Sequence, residues 1–99
     1  MAGEPREERR AHIFVFGRVQ GVGYRHFVLQ TARRLGVRGW VRNRLDGSVE
    51  VMAQAPAGVL DGFIQALRAG PPLAVVTDVQ ISWEPPAPAE SPFRVRGTL

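Results

Sequence analysis

His12-Ile13-Phe14-Val15-Phe16-Gly17-Arg18-Val19-Gln20-Gly21-Val22-Gly23-Tyr24-Arg25 starts as an apolar run, crosses three glycines and turns amphipathic. His12 to Val19 reads as a strand, and Ile13-Phe14-Val15-Phe16 is apolar on both faces, as a central strand would be. Gly17 to Gly23 is a glycine-rich turn. Tyr24 to Leu35 then follows helical spacing, with Tyr24, Val28, Thr31 and Leu35 on one face and His26, Gln30 and Arg33 on another. Gly36 sits just past the helix end, where a left-handed residue is wanted.

The chain on either side completes the pattern. Arg38 to Asn43 and Ser48 to Gln54 read as two strands, and Asp46-Gly47 in the short connection makes them a hairpin. In the second, Val49, Val51 and Ala53 alternate with Glu50, Met52 and Gln54. Gly58 to Ala69 is a second helix with the stripe Leu60, Phe63, Ile64 and Leu67, stopped by Gly70-Pro71-Pro72. Val75 to Glu84 is a strand, Glu84 to Pro92 a proline-stiffened loop, and Phe93 to Arg96 a short final strand expected at an edge. Residues 1–10 alternate Glu and Arg without apolar periodicity and read as a disordered charged tail, leaving 11–99 as one domain. Strand, helix, strand, strand, helix, strand is the split βαβ order of an α+β, ferredoxin-like sandwich. It implies a mostly antiparallel four- to five-stranded sheet with both helices on one face. Right-handed crossovers put the first strand and the hairpin's second strand in the middle.

Composition narrows the chemistry. Ninety-nine residues, 44% of them apolar, suffice for one core. The absence of cysteine excludes disulfides, thiolate zinc sites and a cysteine nucleophile. No apolar run reaches a membrane span, and the charged start lacks the apolar core of a secretory signal, so the expectation is a cytoplasmic protein. The thirteen basic residues are all arginine and the net charge is +4. The arginines are spread along the chain, which fits a general codon preference better than a dedicated nucleic-acid surface.

The glycine loop carries the main chemical signal. A helix start leaves about four N–H groups unpartnered, usually relieved in part by a Ser, Thr, Asp or Asn cap. None of these occurs from Gly17 to Arg25. The amides of Gln20, Gly21, Val22, Gly23 and Tyr24 can therefore form an anion nest. Arg25 lies in the first helical turn, against the helix dipole, and a bound phosphate would reverse the sign of that interaction. On spacing alone, the loop is equally a tight turn with Arg25 in solvent. It is neither a Walker A loop nor a dinucleotide fingerprint. Asn43 ends a strand; its amide could hold a water against a phosphoryl oxygen, although local physics favours a simple turn residue. His12 and His26 have no metal-ligand spacing and no carboxylate cluster beside them. Trp40, Trp83 and Phe63 read as core or half-buried sheet residues, and Asp46 as a turn residue.

Two segments together resemble the acylphosphatase family. Val15-Phe16-Gly17-Arg18-Val19-Gln20-Gly21-Val22-Gly23-Tyr24-Arg25 is similar to its first signature, and Gly39-Trp40-Val41-Arg42-Asn43-Arg44-Leu45-Asp46-Gly47-Ser48-Val49-Glu50-Val51 to its second. The likeness runs over roughly residues 12 to 97, through Gly70-Pro71-Pro72 to Phe93-Arg94-Val95-Arg96. Tyr24 stands where Phe is commoner and Ala55 where Gly usually stands. The resemblance implies metal-independent, cofactor-free hydrolysis of a small acyl phosphate to carboxylate and inorganic phosphate. It assigns phosphate binding to Arg25 with the amides of Gln20 to Tyr24, and water orientation to Asn43. It also implies a protein acting as a monomer, without membrane or nucleic acid. Two alternatives stay open: a non-catalytic phosphate- or partner-binding domain of the same family, as occurs inside larger hydrogenase-maturation proteins, and an RNA-binding module of the same strand order. Against the RNA-binding module, Val49 to Gln54 has no base-stacking aromatic and carries Glu50.

Overall fold

The computed structural model describes residues 6–99. Its elements are β1 (Glu8–Arg18), α1 (Tyr24–Leu35), β2 (Arg38–Asn43), β3 (Val49–Pro56), α2 (Ala57–Ala69), β4 (Val75–Glu84) and β5 (Arg94–Val95). The sheet order is β4-β1-β3-β2-β5, with β1 and β3 central, as the crossover rule requires. Every pairing is antiparallel except that of β5 with β2.

Strand alternation builds the core. Ile13 and Val15 of β1, Val41 of β2, and Val49, Val51 and Ala53 of β3 are all fully buried and belong to one apolar cluster. Val28 and Ala32 of α1, and Leu60, Phe63 and Leu67 of α2, complete it. Phe63 meets Phe93 edge-on at 6.1 Å between ring centres, anchoring the chain just ahead of β5. Each such side chain contributes about 1.5–3 kcal/mol by leaving water. Tyr24, also buried, donates its hydroxyl to the Leu67 carbonyl at 2.8 Å and so ties α1 to α2.

Two expectations need correction. Residues 1–10 were expected to be a disordered tail, yet Glu8, Arg9 and Arg10 are the start of β1, paired with Pro56, Ala55 and Gln54. Residues 1–5 lie outside the described residues. The charges that hid this strand find partners across the sheet. Arg9 stacks on Trp83 at 4.2 Å, Arg10 reaches Gln54 at 3.2 Å, and Glu8 pairs with Arg38. The second correction concerns β3. Its Val49, Val51 and Ala53 were read as alternating with Glu50, Met52 and Gln54, but both sets are buried. Glu50 lies beneath His12, Arg42 and Arg44, and Gln54 accepts the Ala87 N–H of the proline-rich loop at 3.0 Å. Smaller differences are confined to element ends: β3 and α2 meet at Pro56–Ala57, and β5 keeps two residues.

The register decides what lies near the glycine loop. Val15 pairs with Val49, and Val49 with Asn43, so the ends of β1 and β2 lie at the same edge of the fold. At Gly17 the β1–β4 register shifts, φ is 122°, and a side-chain carbon there would fall 2.0 Å from the Val75 carbonyl oxygen. Only glycine permits that approach. Beyond the bulge Gly17 and Arg18 still pair with Val76 and Val75, and the chain then enters the loop ahead of α1.

Candidate active site

The first turn of α1 has no side-chain cap. Its N-cap is Gly23, in the left-handed region at φ 79°, and no acidic residue lies in the first turn. Phe27 N–H is the first helical donor with a partner, the Gly23 carbonyl at 3.0 Å, which leaves the N–H groups before it directed outward. Gly21 repeats the left-handed twist at φ 73°. Successive donors in such a turn, at the positive end of a helix, form a concave anion site.

A cleft of about 330 Å³ opens on these donors. It is lined by Gln20, Gly21, Gly23, Tyr24 and Arg25 from the loop and α1, by Asn43 from β2, and by Val19, His26 and Val95. Arg25 and Asn43, eighteen positions apart in sequence, thus face one space. The Val22 side chain packs against the core instead, so only its backbone remains for a ligand. Tyr24 likewise offers its amide, since its hydroxyl is bonded to Leu67 and burial pushes the phenol's pKa above its ordinary value.

Arg25 is half-buried, and no carboxylate of the described residues forms an ion pair with it. Asn43 is firmly placed: its carbonyl accepts Leu99 N–H at 3.1 Å, and it pairs with Val49 across the hairpin. Its side-chain Oδ1 is buried, yet no protein donor reaches it. Buried polar atoms are normally satisfied, so an orphan acceptor beside a cleft marks a ligand or water position.

The hairpin turn beside Asn43 is rigidly built. Asp46 Oδ1 accepts both Ser48 N–H at 2.9 Å and Ser48 Oγ–H at 2.6 Å, and these bonds lower the Asp46 pKa. The turn reading of Asp46 is therefore right. Gln20 Nε2 donates to two carbonyls of this turn, Arg44 and Ser48, each at 2.8 Å. On the other side of the turn, Arg44 Nη1 reaches Glu50 Oε1 at 2.9 Å. Burial works to raise the Glu50 pKa, but hydrogen bonds from His12, Arg42 and Arg44 and the charge of Arg42 outweigh it and leave it lowered.

Sequence reasoning reached the loop, Arg25 and Asn43, and the fold brings them together. It assigned nothing to His26 or Val95, which also line the cleft, and only a backbone role to Gln20. The place of His26 in the first turn of an uncapped helix was a signal for the first. The other two depend on which strand ends meet.

Comparison with known proteins gives the family and the fold. The family model described as Acylphosphatase matches residues 11–95. The chain is 47% identical over 89 residues to the acylphosphatase of Salinibacter ruber, covering 90% of this chain and 94% of that one. The crystal structure of acylphosphatase from Bacillus subtilis superposes with a TM-score of 0.86 at 38% identity, covering 89% of this chain and 98% of that one. Full-length HypF contains a similar fold, with a TM-score of 0.85 at 25% identity, but there the match spans 12% of the other chain.

Proposed function

The chain belongs to the acylphosphatase family and hydrolyses acyl phosphates, and from that premise we propose how its residues divide the work. Arg25 and the amides of Gln20 to Tyr24 hold the phosphoryl group, and Asn43 holds the attacking water. The observation that carries this assignment is that Asn43, whose buried Oδ1 has no donor among the described residues, lines the same cleft as Arg25 and the uncapped start of α1.

The substrate is a mixed carboxylic–phosphoric anhydride. Water oxygen forms the new P–O bond as the bond to the carboxylate oxygen breaks, and the electron pair leaves with the carboxylate. That leaving group departs without a proton, so no strong general acid is required. No carboxylate is among the residues lining the cleft, and the water proton passes to a phosphate oxygen of the substrate. What remains is positioning and neutralisation of the equatorial oxygens, the usual demands of phosphoryl transfer. The Arg25 guanidinium fork and the loop amides meet the second demand. Asn43 Oδ1 accepts a hydrogen from the water and aims its lone pair in line with the leaving oxygen.

The reaction so described uses no metal or cofactor. The lack of cysteine fits a reducing, cytoplasmic setting. The open sheet face offers little to stacked bases, because Glu50, Met52 and Gln54 of β3 are buried under neighbouring side chains.

The test is hydrolysis of a synthetic acyl phosphate by the purified protein, with and without a chelator, and with inorganic phosphate as competitor. Turnover that survives the chelator and is inhibited competitively by phosphate is expected. Turnover abolished by the chelator would overturn the metal-independent mechanism.

A further inference from the structure

The Gln20 side chain bridges the two halves of the cleft, and the chemistry of the phosphate cradle makes no use of it. We propose that Gln20 is a positioning residue of the hydrolysis: its carboxamide locks the phosphate loop to the β2–β3 turn and so fixes the distance between the bound phosphoryl group and the water held by Asn43. The inference rests on the roles given above to Arg25 and Asn43.

A carboxamide nitrogen carries two hydrogens, and a carbonyl oxygen has two lone pairs. Here both hydrogens are used, on Arg44 O and Ser48 O, each at 2.8 Å. Both carbonyls already accept one bond within the turn: Arg44 O from Gly47 N–H at 3.1 Å, and Ser48 O from Arg44 N–H at 2.9 Å. The clamp thus saturates two acceptors that the turn itself leaves half-satisfied. Its anchor is stiff, because Asp46 fastens Ser48 from within the turn and Glu50 fastens Arg44 from outside. Asn43 is the residue immediately before Arg44.

On the loop side, Val22 packs against the core and Tyr24 is anchored to Leu67, but a side-chain carbon added at Gly21 or Gly23 would meet nothing within 4 Å, so those two positions face open space. In-line transfer needs the water oxygen within about 3–3.5 Å of phosphorus, and a misplacement of about 1 Å costs on the order of 10²-fold in rate. Two short hydrogen bonds from Gln20 across the cleft supply the fixed separation.

The experiment is a double-mutant cycle between Gln20→Met, which keeps the length and removes both donors, and Asn43→Ala. Both are assayed for kcat, KM and competitive inhibition by inorganic phosphate, and folding is checked by circular dichroism. Gln20→Ala serves as the second variant should Gln20→Met not fold. Gln20→Met is expected to lower kcat about 10–10²-fold while phosphate inhibition stays within about three-fold of native, because Arg25 and the loop amides are retained. In the Asn43→Ala background the same change should lower kcat by less than about three-fold. Unchanged kcat, phosphate binding that weakens in step with kcat/KM, or an undiminished effect on top of Asn43→Ala would each overturn the clamp. Full turnover by Asn43→Ala alone would instead remove the water-holding role, and the clamp with it.

Discussion

Asn43→Ala should separate activity from stability. Two features of the structure set the sizes of the effects. Asn43 Oδ1 accepts no hydrogen bond from the protein, so truncation breaks no protein–protein bond and strands no donor. The strand is held at this point by backbone bonds, Leu99 N–H to Asn43 O among them, which alanine preserves. Unfolding free energy should therefore stay within about 1 kcal/mol of native, the range for one ordinary hydrogen bond to water. In the proposed mechanism the lost acceptor is the group that aims the water. Removing one oriented amide of this kind costs about 10²–10³ in kcat, equivalent to about 2.7–4 kcal/mol of transition-state free energy. Initial rates on an acyl phosphate give kcat and KM, and urea denaturation of the same preparation gives stability. A fall in kcat together with a stability loss above about 2 kcal/mol would mean that Asn43 is a structural residue of the turn. Retained kcat would refute the water-holding role outright.

Three further outcomes follow from the same geometry. Arg25→Ala should lower kcat/KM by about 10³–10⁵, and Arg25→Lys should recover little of it, because an ammonium cannot form the two parallel bonds of a guanidinium; steady-state kinetics decide it, and near-native turnover in Arg25→Ala would refute the site. Glu50 has its pKa lowered in the folded state, so its contribution to stability is present above the ordinary carboxylate range and is lost as pH falls through that lowered value. Native protein should lose stability as pH falls below about 5, and Glu50→Gln should show a shallower loss on the same descent in urea titrations; parallel curves would sink the claim. Tyr24→Phe should cost about 1–3 kcal/mol by leaving the Leu67 carbonyl without its donor, measured by thermal or urea unfolding, and an unchanged midpoint would contradict it.

The local features of the fold were legible in the residue pattern. Of the α1 stripe, Tyr24, Val28 and Thr31 are buried and Leu35 is half-buried, and the α2 stripe Leu60, Phe63, Ile64 and Leu67 is buried as its spacing implies. Gly23 and Gly36 occupy the left-handed ends of α1 that their type suggests. These are short-range facts, set by helical period and by what glycine alone can do with its backbone. The uncapped start of α1, and Arg25 within it, were visible for the same reason.

Long-range pairing was not legible. Glu8, Arg9 and Arg10 looked like a solvated tail because charge alternation carries no apolar period. Their partners Arg38, Trp83, Gln54 and Glu84 lie far along the chain, and only the sheet order brings them alongside. Glu50 was legible only as one member of an alternating strand, and the register places His12, Arg42 and Arg44 around it and leaves it 4% exposed. The site divides in the same way. Sequence supplied a candidate phosphate loop and, by resemblance, Asn43. The tertiary structure put the ends of β1 and β2 at one edge, left Asn43 Oδ1 without a donor, and turned the Gln20 side chain onto the turn beside it. A sequence by itself records which atoms can donate, accept or bend. Which of them are left unpartnered is decided only when distant strands close on one another.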